Sequence, residues 1–130
     1  MFGFGKKKED PNRKALREEF ESVTTALKSA DNLIQVAVGH SINMANSLFH
    51  QTYSSPSEFQ RLPMSERISY INKLTDMENK LKEEKGDPHS ALGFGLFKMW
   101  VGAVAEVDTG LMQQFSNELA YFSKKGDLPI

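Results

Sequence analysis

Between Leu16 and Leu48 the apolar positions step by four and three in alternation: Leu16, Phe20, Val23, Leu27, Ala30, Ile34, Ala37, Ser41, Met44 and Leu48, with Ser41 the one polar member. That rhythm is the seam of a helix packed lengthwise on another helix. The segment from about Asn12 to Tyr53 therefore reads as one long helix. Toward its end Val38, Ile42, Ala45 and Phe49 widen the stripe, so the first half is a one-sided surface helix and the second half meets more than one neighbour. The weakest points are Ser29-Ala30-Asp31-Asn32 and Gly39-His40, because Asp, Asn and Gly are poor helix residues.

The remaining elements follow from their start and stop signals. Asp10-Pro11 supplies an N-cap and a first-turn proline for the first helix, and Asp87-Pro88 does the same for the third. Residues 52–63 carry loop chemistry, with capping-box spacing at Ser57-Glu58-Phe59-Gln60 and one helical turn expected through Leu62. A second helix opens at Pro63 or Ser65 and runs to about Glu84. Its expected buried side is Ile68, Ile71, Leu74, Met77 and Leu81, with Asp76–Lys80 and Glu78–Lys82 as i,i+4 pairs on its surface. Gly86 ends it in the left-handed conformation. The third helix continues to about Lys125, where Gly126 stops it. From Ala91 to Val107 it is apolar nearly all round, which marks it as the central element. A narrow face of small or polar residues runs through Ala91, Gly95, Lys98, Gly102, Glu106 and Thr109. No stretch alternates as a strand would.

Uninterrupted, the first and third helices would span about 63 Å and about 57 Å, the second only about 33 Å. One short helix does not cover two long ones. Either the long helices break, near Asp31-Asn32 and Asp108-Thr109-Gly110, or they stay long and a second subunit or partner buries the open seam. The regularity of the seam favours the second. The expected fold is all-α: an elongated three-helix bundle of up-down topology, with two long helices, one or both open to a kink, and one shorter helix. Residues 1–10 read as a flexible basic tail, 11–126 as a single helical domain and 127–130 as a loose C-terminal tail.

Composition narrows the functions. A net charge of −1 gives no global pull toward nucleic acid, and no nucleic-acid partner is expected. The absence of cysteine removes disulfides, thiolate nucleophiles and Cys-ligated metals, and fits a reducing compartment. No apolar run is long enough to suggest a membrane span, and the N-terminus does not read as a signal peptide. His40, His50 and His89 sit in no Glu-x-x-His, His-x-x-x-His or His-Glu-x-x-His pattern, and no strained serine elbow is present. Neither catalytic residues nor a metal or cofactor are expected.

The expected function is non-catalytic protein binding, as a small cytosolic adaptor, regulator or inhibitor that buries a helix seam against a protein partner or a second copy of itself. Phe97, Met99, Trp100 and Val101 read first as core; the other reading, on which this function rests, makes Phe97, Trp100 and Val101 the anchors, since Trp and large apolar side chains concentrate at interface centres. Gly95 and Gly102 would let another backbone approach. Asp108 falls on the apolar line of the third helix; it either recognises a partner's cation or caps a new helix at a break. The alternative is a peripheral membrane protein, held on the inner membrane surface by Phe2, Phe4, Lys6, Lys7 and Lys8. A third reading is a helical bundle with a ligand pocket near Trp100 and Asp108.

Overall fold

The computed structural model describes residues 9–126, and among these the fold is all-helical. Six α-helices follow one another: α1 Pro11–Lys28, α2 Asn32–Thr52, α3 Pro56–Gln60, α4 Met64–Asn79, α5 Pro88–Ala105 and α6 Thr109–Gly126. Both long helices expected from the sequence are divided, one at Asp31 and the other at Asp108. No rod of about 60 Å forms, and α2 and α6 instead fold back to cover α5.

Aspartates write the helix starts. Asp10 accepts from the N–H of Asn12 at 2.8 Å and of Arg13 at 3.3 Å. Asp31 accepts from Leu33 at 2.8 Å, Asp87 from Ser90 at 3.1 Å and Asp108 from Leu111 at 3.0 Å. Each carboxylate satisfies a backbone donor that has no partner within its helix and sits at the positive end of the helix dipole. The short α3 uses a serine: Ser55 Oγ accepts from the Glu58 N–H, and Glu58 reaches back to the N–H of Ser54. This reciprocal cap lies two residues before the spacing noted at Ser57.

The break after α1 is secured from behind. Gln35 Nε2 donates to the carbonyls of Lys28 at 3.3 Å and Ala30 at 3.0 Å, which the helix end leaves bare. The break after α5 is a Schellman turn: Val107 N–H donates to Val104 O and Asp108 N–H to Ala103 O, both at 3.0 Å. Val107 takes the left-handed position, with φ of 54°. The last turn of α4 widens into a π-helix over Lys80–Glu84, and Gly86 then turns the chain with φ of 61°.

Contacts between named residues give the directions. Gly93 lies against Val38 and Ser41, while Trp100, further along α5, lies against Phe49, so α2 and α5 run the same way. Arg67 meets Ala105 and Glu78 meets Lys98, so α4 runs against α5. Trp100 bonds Ser116, and α6 likewise runs against α5. The helix α5 is the centre, packed by α2, α4 and α6, and Phe94, Leu96, Phe97, Val101 and Val104 are buried around its circumference. Burial of each such side chain contributes about 1.5–3 kcal/mol.

Two glycines of different helices share the closest approach. A Cβ on Gly39 would stand 2.6 Å from the Gly126 nitrogen and overlap the Phe122 carbonyl. Gly39 therefore does not weaken α2; it lets the backbones of α2 and α6 touch. Gly126 belongs to α6 for the same reason. A Cβ on Gly93 would meet Ser41 Cβ at 2.6 Å. Ser41, the polar member of the seam, donates its hydroxyl to the Ser90 carbonyl at this crossing.

Phe49 organises the core at the other end. Its ring lies 5.4–6.0 Å from those of Tyr53, Phe59, Tyr70, Phe97 and Trp100, mostly edge-to-face. Burial pushes the Tyr70 phenol up to about 12 and also raises that of Tyr53. In α4 the side turned to the core is Tyr70 and Leu74, whereas Ile68, expected inside, is exposed.

The helix α1 lies along α6. Phe20 is fully buried and stacks on Phe115 at 3.9 Å between ring centroids. Around this anchor the contacts are polar: Arg13 with Asp108, Glu21 with Gln114 and Lys28 with Glu118.

Candidate functional site

The anchors expected on the third helix are placed inside. Phe97 and Val101 are buried, and Trp100 is 8% exposed with its indole N–H donated to Ser116 Oγ at 2.9 Å. All three are covered by the chain's own α2, α4 and α6, so this folded form does not present them to a partner. The reason is the break at Asp108. It returns α6 onto the face of α5 that a continuous helix would have left open.

The face of small residues on α5 is likewise occupied. Glu78 of α4 sits over Gly95, 2.8 Å from where a Cβ would be, and accepts from Lys98 Nζ at 2.7 Å. Thr75 takes a second Lys98 hydrogen at 3.2 Å. Glu78 thus pairs across helices rather than with Lys82. Gly102 faces open space.

Asp108 is the cap of a new helix, and the cation it meets belongs to the same chain. It caps α6 and binds Arg13, whose Nε lies 2.6 Å from Oδ2. Arg13 holds the Asp108 carboxyl below its ordinary value, with the Leu111 N–H adding to the effect. Arg13 also binds Glu9, which pairs in turn with Arg17 at 2.8 Å. The Glu9 carboxyl is lowered to about 2, chiefly by Arg17. This network fastens α1 to the α5–α6 turn, and Arg13 and Asp108 also line a cleft of about 410 Å³ between them, with Leu16, Ala103, Glu106 and Leu111. The tail residues Phe2, Phe4, Lys6, Lys7 and Lys8 lie outside the described residues.

What the fold does leave outward is a face of α2. Its 21 residues contain no Asp, Glu, Lys or Arg. One side packs on α5 and α6 through Val38, Ile42, Ala45 and Phe49. The opposite side carries Leu33, 78% exposed, and Met44, 59% exposed, with His40 between them. Leu33 and Met44 are eleven positions apart, about three turns, and so stand on one line some ~16 Å long. Ile34, Ala37 and Leu48 border it, half-buried. Charged residues make up 25% of the chain, so a helix of this length with one side in water would ordinarily carry several. The strip takes in Ile34, Ala37, Met44 and Leu48 of the four–three seam, which the fold leaves half-buried or exposed instead of packed; the missing charge between Asn32 and Thr52 is the sequence signal that marks this face.

No helix among the described residues is long and apolar enough to cross a membrane. Among the described residues no cluster of His, Asp and Glu could hold a metal ion. The chain matches no protein-family model, no curated protein and no solved structure.

Proposed function

We propose that this protein is a non-catalytic binding protein that docks a partner protein on the outward face of α2. The supporting observation is the uncharged character of α2 together with the exposure of Leu33 and Met44 on one line. A charge-depleted strip with large apolar side chains is what the centre of a protein interface needs, since no ion has to be stripped of water when the strip is covered. The partner surface that fits is an apolar, uncharged helix face, from another protein or from a second copy of the chain. In this reading the helices form one up-down bundle whose α2 is the docking edge, and the setting is cytosolic, in keeping with the lack of cysteine.

The test is site-specific photo-crosslinking in the native host. A crosslinking residue at Met44 or Leu33 should capture one partner in high yield, and the same residue at Lys73 on α4 should not. Leu33→Lys with Met44→Lys should abolish capture while leaving the melting temperature within about 2 °C, because both side chains are exposed. Equal capture from α2 and α4, or capture that survives both substitutions, would reject the reading. Light scattering on the purified chain distinguishes a second copy from a different protein.

A further inference from the structure

We propose that the cleft between α2 and α6, over Trp100, binds a small, planar, neutral molecule with an amide-like hydrogen-bonding edge. The cleft follows from the helix crossing. The helices α2 and α6 touch at Gly39 and Gly126. Farther along, short side chains at Asn43, Asn46, Ser116 and Ala120 leave a gap of about 200 Å³. Its floor is aromatic and apolar, made by Phe97, Trp100 and Leu119. The gap is smaller than the roughly 300 Å³ at which pockets for drug-sized ligands begin, so the occupant is a fragment-sized molecule.

Three features set the chemistry. The indole of Trp100 is fixed by its bond to Ser116, and the 8% of it left exposed gives the floor a rigid apolar patch for a ring to lie against. No Asp, Glu, Lys, Arg or His lines the cleft, and an ionic ligand would lose water there with no counter-charge to meet it. The rim offers both kinds of hydrogen-bonding group. Asn43 donates one amide hydrogen to the Ser123 carbonyl at 2.9 Å, which leaves its oxygen as an acceptor. The Ser116 hydroxyl accepts from Trp100 and retains a hydrogen to donate. Asn46, exposed at the mouth, adds an amide. A primary amide or lactam on an aromatic ring matches this set. The cleft lies on the α6 side of α2, so the proposal is independent of protein docking on the outward face.

Trp100 is the only tryptophan, so fluorescence excited selectively in the indole, beyond tyrosine absorption, reports on this cleft. The full-length chain would be titrated with benzamide and, separately, with benzoate, which has the same shape and a negative charge. Benzamide should give a saturable change with a Kd of about 1 mM, in keeping with its size, and benzoate should bind at least about tenfold more weakly. Ala120→Leu, which fills the mouth, should weaken benzamide at least about tenfold, and Asn46→Ala about threefold. Should Ala120→Leu fail to fold, Asn46→Ala decides, because Asn46 is exposed and makes no contribution to the core. A response to benzamide that does not saturate by ~10 mM, equal affinity for benzoate, or affinity unchanged in the foldable variants would each overturn the proposal.

Discussion

Arg13 Nε stands 2.6 Å from Asp108 Oδ2, and the other oxygen of the same carboxylate caps α6 by accepting from Leu111. The residue that begins α6 therefore also fastens α1, 95 positions earlier. Asp108→Ala removes both bonds and should lower stability by about 1–2 kcal/mol in urea unfolding. Asp108→Asn keeps a capping oxygen and should cost about half as much. The ion pair is partly exposed, which keeps its share small. Equal losses in the two variants would assign the whole effect to the charge.

Acid should loosen the same corner. The folded-state pKa values of Asp108 and Glu9 are depressed, so the unfolded chain binds more protons below their ordinary values of 3.8 and 4.5. Stability from these groups is present above that range and is lost as pH falls from about 4.5 toward 2. Melting temperature should drop across this window, and Asp108→Asn should flatten the drop. An unchanged acid profile in the variant would mean that other carboxylates carry it.

Alkali acts at the same end of the bundle, where Arg67 of α4 reaches the Ala105 carbonyl, through a buried phenol instead of an ion pair. Tyr70 titrates at about 12, against 10.0 for the free phenol, because burial disfavours the phenolate. Between these values the unfolded chain has released a proton that the folded chain still holds. Stability is complete below pH 10 and declines as pH rises toward 12. Tyr70→Phe should remove part of this decline, measured by the urea midpoint at pH 9 and pH 11. A decline of the same size in both proteins would place its origin elsewhere.

Val107 is a β-branched residue at φ of 54°, where glycine is usual, and its side chain is 56% exposed. Val107→Gly relieves the steric clash and gives up little packing, though glycine gains entropy when unfolded. The net expectation is stabilisation by about 1 kcal/mol. Destabilisation would show that Val107 makes packing contacts its exposure does not suggest.

Two glycine-to-alanine changes should have opposite signs. Gly39→Ala drives a methyl group into the α6 backbone and should cost more than about 2 kcal/mol. Gly102→Ala enters open space inside α5 and should stabilise by up to about 1 kcal/mol through helix propensity. Thermal unfolding of the two variants beside the parent protein checks both.

The aspartate caps at Asp10 and Asp87, the turn at Gly86 and the central place of α5 were legible because each depends on local backbone chemistry or on one helix's own periodicity. The break at Asp31 was only half legible. The four–three rhythm runs through it undisturbed, since Leu27 and Ile34 keep their spacing whether or not the helix between them is continuous. Gly39 and Glu78 were misjudged for a shared reason. Propensity rates a glycine as a defect, and i,i+4 spacing assigns a glutamate to its own helix. The roles of both are set by another helix, α6 for Gly39 and α5 for Glu78. Trp100 shows the same limit: its size marked it as important, but whether it faces a partner or the core was decided by where α6 returned.

The helix α2 rests its inner face on α5 and α6, both of which follow it in the chain. During synthesis it is therefore complete long before the helices that cover it have emerged. It has no charge of its own to keep it in solution over that interval, with Val38, Ile42 and Phe49 bare on one side and Leu33 and Met44 on the other. Emerging chains of this protein thus carry a sticky, electrically blank helix until residue 126 leaves the ribosome.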